Sequence, residues 1–203
     1  MNDRWAPLVA AAPFVAPLLP DLEQRYAEPH RAYHGIEHIA ALAELFDEVR
    51  RGPGWHAPVE VALAILYHDA IYVPGRHDNE ARSARLAREA LREHWLDIDR
   101  VEQLVLATAT HCRDVDALRD EDLAMFLDAD MSILGAPAVA YDAYVAGVRF
   151  EYANVPPQSF TAGRRAFLES LLARPTLFHS PFFVARCEAQ ARANIARELA
   201  TLA

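Results

Sequence analysis

Histidines and aspartates recur in this chain where a folded core would ordinarily place apolar side chains. The run ALAILYHDAIY (62–72) ends an apolar stretch on His68 and Asp69, two groups that are costly to bury without a partner. Neighbours on a helix point about 100° apart. The pair therefore forms either a core hydrogen bond, with Asp69 orienting His68, or half of a cation site at the helix shoulder. Upstream, RAYHGIEH (31–38) sets His34 and His38 at i and i+4. On a helix these share a face with Leu42 and Leu45, so both imidazoles are expected to look inward. They could serve as two ligands, as one ligand and one catalytic acid, or as a helix-terminal pair bonded to backbone.

Periodicity sorts the remaining candidates. Leu123, Leu127, Asp130 and Leu134 fall on one stripe, which makes Asp130 a carboxylate on an apolar face. Asp128 belongs with Glu121, Met125 and Ser132 and reads as a solvated group, or one that supports a ligand. Glu80 heads the line Ala84, Ala87, Leu91 and points inward, although a helix first turn also suits a carboxylate. His111 ends the line Leu104, Thr108, His111. The second His-Asp dipeptide, His77-Asp78, follows Pro74-Gly75 in a loop, and Asp78 reads as a helix N-cap. Together, His34, His38, His68, Asp69, Glu80, His111 and Asp130 give one interior more titratable groups than a core normally collects. A divalent cation would compensate the carboxylates and hold the imidazoles neutral.

These residues have to be positioned by helices. The chain of 203 residues is 53% apolar and 24% charged, and β-branched residues form no alternating runs, so strands have little support. Helices are expected over 36–50, with Ile39, Leu42, Phe46 and Val49 on one face, and over 59–72, 79–95, 98–112, 121–134, 137–153, 158–173 and 181–202. Residues 59–72 are apolar nearly all round, the mark of a buried central helix. The expectation is an all-α fold, a single domain spanning 1–203. Residues 1–30 form an arm packed on the core, irregular over 5–20 because of prolines at 7, 13, 17 and 20.

That proline-broken run is too short for a membrane span and lacks a basic leader. A net charge of −9 with scattered basic residues argues against nucleic acid or an anionic membrane as partner. Cys112 and Cys187 make no metal or redox spacing, which fits a reducing compartment, and the expected location is cytoplasmic.

Tyr33-His34…His38, His68-Asp69 and Asp130, in that order, resemble the H…HD…D signature of HD-domain metal-dependent phosphohydrolases. A bacterial subgroup of predicted HD phosphohydrolases is echoed by RAYHGIEH, YHDAIY, DNEARSA, ATATH, LDADMSILG, VRFEY, GRRAFLESLLARP and ARANIARELA. These segments cover the chain from about residue 31 onward. The resemblance implies an HD-type helical bundle with metal ligands His38, His68, Asp69 and Asp130. His34 stands where related cyclic-nucleotide phosphodiesterases, with YHNxxH, place a general acid; Gly35 here replaces their Asn. Some HD enzymes bind a second metal through further histidines, for which His111 is the candidate.

The donor set suits one tightly bound Mn, Fe, Co, Ni or Zn ion, with a second possible. The implied reaction is hydrolysis of a phosphoester, of a nucleotide or another small phosphorylated metabolite, by activated water. Glu80 would orient that water or take its proton, and His34 or His111 would protonate the leaving oxygen. Arg31, Arg149 and Arg164 are candidates for contacting the phosphoryl oxygens. The competing expectation is a non-catalytic HD module that binds a metal or nucleotide and signals to a partner.

Overall fold

Helices account for every regular element in the computed structural model, which describes residues 3–110 and 119–202; among these no residue lies in a strand. In order they are α1 (Ala6–Ala11), α2 (Leu19–Tyr26), α3 (Ile36–Arg51), α4 (Pro58–Tyr67), α5 (Asn79–Leu91), α6 (Ile98–Ala107), α7 (Glu121–Met131), α8 (Ala138–Glu151), α9 (Pro157–Leu172) and α10 (Pro181–Thr201). The all-α expectation holds. Among the described residues, no single helix is long and apolar enough to cross a membrane.

The N-terminal arm is not irregular. Its prolines punctuate short helices: Pro7 opens α1, Pro13 opens a 3-10 turn over Pro13–Leu18, and Pro20 lies in the first turn of α2. In a first turn proline gives up only an N–H that has no helical partner. Trp5, Leu8, Val15, Leu19, Leu22 and Tyr26 are all buried by this arrangement, and α1 packs against α3 and α4.

The central helix α4 buries every residue from Val61 to Tyr67. It ends earlier than its apolar run suggests, with His68 as the C-cap residue. The chain turns there because Arg31 takes the exposed backbone: its guanidinium donates to the carbonyls of Asp69 at 2.7 Å and Ala70 at 3.3 Å. Those carbonyls would otherwise need a further helical turn or water. Beyond the turn, Ser83 of α5 accepts from the Ile71 amide and donates back to its carbonyl.

Two carboxylates of α7 do distant structural work. Asp122 accepts from the amides of His56 and Ala57, the residues leading into α4. Asp128, expected to be solvated or to support a ligand, is buried. It accepts from the amides of His179 and Ser180 and from the Ser180 hydroxyl, at 2.6–2.8 Å, and so ties α7 to the start of α10. Asp78 stands at the N-cap of α5 but makes no side-chain cap; it pairs with Arg76 instead. Cys187 of α10 is free and half-buried, and Cys112 lies outside the described residues.

A buried acceptor that serves three donors predicts its own mutant. Asp128→Ala strands the two amides and the hydroxyl away from water, and stability should fall by about 2–3 kcal/mol. Denaturant titration would register this as a lower midpoint with an unchanged slope.

Candidate metal centre and its cavity

Three elements deliver the polar cluster. α3 contributes His38, the turn after α4 contributes His68 and Asp69, and α7 contributes Asp130 from its inward stripe, as its spacing predicted. His34 is a correction, since it lies in the loop before α3, whose N-cap is Gly35, and shares no helix face with His38. A Cβ at Gly35 would sit 3.2 Å from the Tyr26 carbonyl oxygen, so the loop passes close to α2 there.

The His38 and His68 Nε2 atoms are 3.2 Å apart. Asp130 Oδ1 lies 3.1 Å from the first and 3.5 Å from the second. Asp69 Oδ2 is 3.2 Å from His68 Nε2 and 3.9 Å from His38 Nε2. Donors about 2.1 Å from one ion stand about 3.0 Å apart at right angles and about 3.4 Å apart tetrahedrally. The His38, His68 and Asp130 contacts fall at this spacing, so these three could bind a metal ion.

Hydrogen bonding supports the same conclusion. The His68 Nδ1 lies 3.0 Å from the Ile65 carbonyl oxygen and must donate to it. The neutral ring therefore aims the Nε2 lone pair at the cluster. That places acceptors against acceptors, an arrangement that needs a cation at its centre, whether protons or a metal. Burial disfavours the charged form of His68, but Asp69 and Asp130 outweigh it and raise its pKa well above the ordinary histidine value. Burial likewise opposes ionisation of the two aspartates. The facing imidazoles win, chiefly His68 for Asp69 and both His38 and His68 for Asp130, and hold the carboxyls below the usual range.

Beside the cluster opens a cavity of about 440 Å³, lined by His34, Asp69, Glu80 and Asp130 among others. His34 is held by Glu151 of α8. The His34 Nδ1 lies 2.7 Å from Glu151 Oε2, which also accepts from the Tyr72 hydroxyl at 2.9 Å. Glu151 Oε1 accepts from three successive amides, Ala32, Tyr33 and His34, at 2.7–2.9 Å. Burial opposes the Glu151 charge, but the hydrogen bonds from His34 and the backbone prevail and bring its pKa down to about 2. Burial also works against a charged His34; the bond to Glu151 and the Asp69 charge overcome it and raise the pKa. The His34 ring lies against Tyr72, centroids 4.3 Å apart, and 6.1 Å from the His38 ring.

The other candidates divide. Glu80 borders the cavity, as its stripe predicted. His111 lies outside the described residues. Arg164 borders the cavity with its guanidinium paired to Glu198. Arg31 and Arg149 are corrections. The Arg31 side chain is fully buried, committed to Glu28 and to backbone carbonyls between the Tyr26 and Tyr72 rings. Arg149 is not part of the cavity lining; it caps the Tyr152 carbonyl and lies 4.8 Å from the centre of the Phe160 ring. His77 is exposed and away from the cluster.

Sequence reasoning missed Glu151, although the signal was present. Tyr144, Val148 and Glu151 form an i, i+4, i+7 line, the pattern that singled out Asp130, and all three are buried. None of the family models, curated proteins or solved structures compared with the chain matches it.

Adding Mn²⁺, Co²⁺, Ni²⁺ or Zn²⁺ to chelator-treated protein should raise its melting temperature. A ligand at 100 times its dissociation constant adds about 2.7 kcal/mol. Differential scanning fluorimetry should show this shift in the wild type and not in His68→Ala, which loses the central Nε2.

Proposed function

We propose that the protein is a metal-dependent phosphohydrolase of the HD type, acting on a small phosphoester. The observation that carries this reading is that Asp69 and Asp130, which face the His38 and His68 imidazoles, border the same cavity as a histidine whose Nδ1 is fixed by a buried carboxylate. A single divalent transition cation held by His38, His68, Asp69 and Asp130 would supply Lewis acidity toward a phosphoryl oxygen and lower the pKa of water.

The chain's own residues complete the reaction. With Nδ1–H directed to Glu151, His34 is left with Nε2 as its only free ring position, and a proton held there goes to the departing alcohol oxygen. The Glu151 carboxylate steadies the imidazolium before transfer and keeps the ring oriented afterwards, so no reorganisation accompanies the proton's departure. Tyr72 contributes to both functions, stacking on His34 and donating to the same Glu151 oxygen. Glu80 forms no hydrogen bond or ion pair with another described residue. That leaves its carboxylate available to orient the attacking water and accept its proton.

Hydrolysis of generic phosphoesters in the presence of Mn²⁺, Co²⁺ or Ni²⁺ is the direct test. The double variant His68→Ala, Asp69→Ala should fall to background, and turnover that survives it refutes the assignment. His34→Ala should lower kcat by about 10²- to 10⁴-fold, the range of a lost general acid. Glu151→Gln, which keeps the shape but not the charge, should cost less than His34→Ala.

A further inference from the structure

The cavity extends beyond His34 and the metal-binding carboxylates. It continues between α8 and α9, where Tyr144, Val148, Tyr152, Phe160 and Phe167 form its wall. Neither arginine that borders the cavity is uncompensated. Arg164 bonds both oxygens of Glu198, at 2.8 and 3.0 Å, and the Tyr144 hydroxyl at 2.9 Å. Arg76 pairs with both oxygens of Asp78.

Gly163 sits in the middle of this wall. It lies well inside α9, where glycine is the poorest helix former after proline. Its φ is not positive, and a Cβ built on it would meet no atom within 4 Å. Gly135 and Gly147 differ: a Cβ there would lie 2.6 Å from Cys187 and 3.2 Å from Tyr33. Neither backbone conformation nor packing within the protein accounts for glycine at 163. Gly163 is exposed where it borders the cavity, so a side chain there would enter open space at the cavity wall.

We propose that the α8–α9 wing is a specificity pocket for the organic part of the substrate, an uncharged ring-bearing group joined to one phosphoryl group, and that Gly163 leaves the room the ring occupies. The inference rests on the phosphohydrolase reading, which sets the phosphoryl end beside Asp69, Asp130 and His34. A flat ring finds the faces and edges of Tyr144, Tyr152 and Phe160 to pack against. Beyond His34, a di- or triphosphate chain finds no uncommitted arginine among the described lining residues, because Arg76 and Arg164 already bond carboxylates. The 440 Å³ volume suits a ligand of this size.

The test uses metal-loaded protein with phenyl phosphate, glycerol 2-phosphate and a nucleoside triphosphate as substrates, and phenylphosphonate as a non-hydrolysable ligand read by calorimetry. The wild type should prefer phenyl phosphate to glycerol 2-phosphate by at least tenfold in kcat/KM. Gly163→Leu should cut that ratio at least tenfold, mainly through KM, and weaken phenylphosphonate binding in parallel. Gly163→Ala should raise the melting temperature by a few degrees while lowering the ratio, which separates a filled pocket from a damaged fold. An unchanged ratio in Gly163→Leu, or a preference for the triphosphate, overturns the pocket and leaves the hydrolase reading standing. Phenylphosphonate binding that Gly163→Leu abolishes, with no phosphoester hydrolysed, keeps the pocket and removes the hydrolase. Phenylphosphonate that does not bind the wild type at millimolar concentration overturns the inference.

Discussion

Glu151 is the carboxylate around which the site closes. Its two oxygens collect five donors: three successive amides of the loop before α3, the His34 ring and the Tyr72 hydroxyl. An isolated buried carboxylate would be untenable, and one with so many donors is held ionised. The loop before α3 has no regular structure to fix it, so its path depends on this anchor and on the close approach of Gly147, where a Cβ would lie 3.2 Å from Tyr33. Fixing the loop also fixes His34 relative to α8, and α8 forms one wall of the cavity.

Arg31 is the cationic counterpart on the other side of the same loop. It reaches the carbonyls of His34, Asp69 and Ala70, and so joins the loop carrying the proposed acid to the turn carrying two metal-binding candidates. The sequence puts this arginine among the candidate phosphate contacts because its segment matches the family pattern. The structure uses it to hold the motif in shape. Both charged groups direct most of their hydrogen bonds to backbone, which gives positional precision to segments that helices alone would leave loose.

Helix-stripe reasoning read the chain well wherever a residue sits inside a regular helix, and poorly at helix ends. Asp130 was correctly separated from Asp128 by face, and Glu80 was correctly turned inward. The i, i+4 spacing of His34 and His38 carries no shared face, because α3 starts only after its N-cap Gly35 and His34 lies before it. Stripe reasoning also undervalued Asp128, whose donors come from a segment 51 and 52 residues later in the chain. An inward carboxylate paired to distant backbone and one facing two imidazoles look alike in sequence, since the difference lies in tertiary partners. Prolines misled in the opposite direction: spaced through the N-terminal arm, they read as helix breakers, yet several of them start helices.

The position of the His-Asp pair follows from these end effects. Within a continuing helix, His68 and Asp69 would diverge, and only one could face Asp130 and His38. Because α4 stops at Tyr67, with Arg31 engaging the carbonyls beyond it, both side chains reach one point, 3.2 Å apart at their nearest atoms. His68 also donates its other ring nitrogen back to Ile65, in the last turn of α4. The helix therefore orients the imidazole while its termination frees the carboxylate. An apolar run ending in two costly polar residues is what this geometry requires: burial on every side up to Tyr67, then an abrupt turn that sets the two polar groups against one another and against His38 and Asp130.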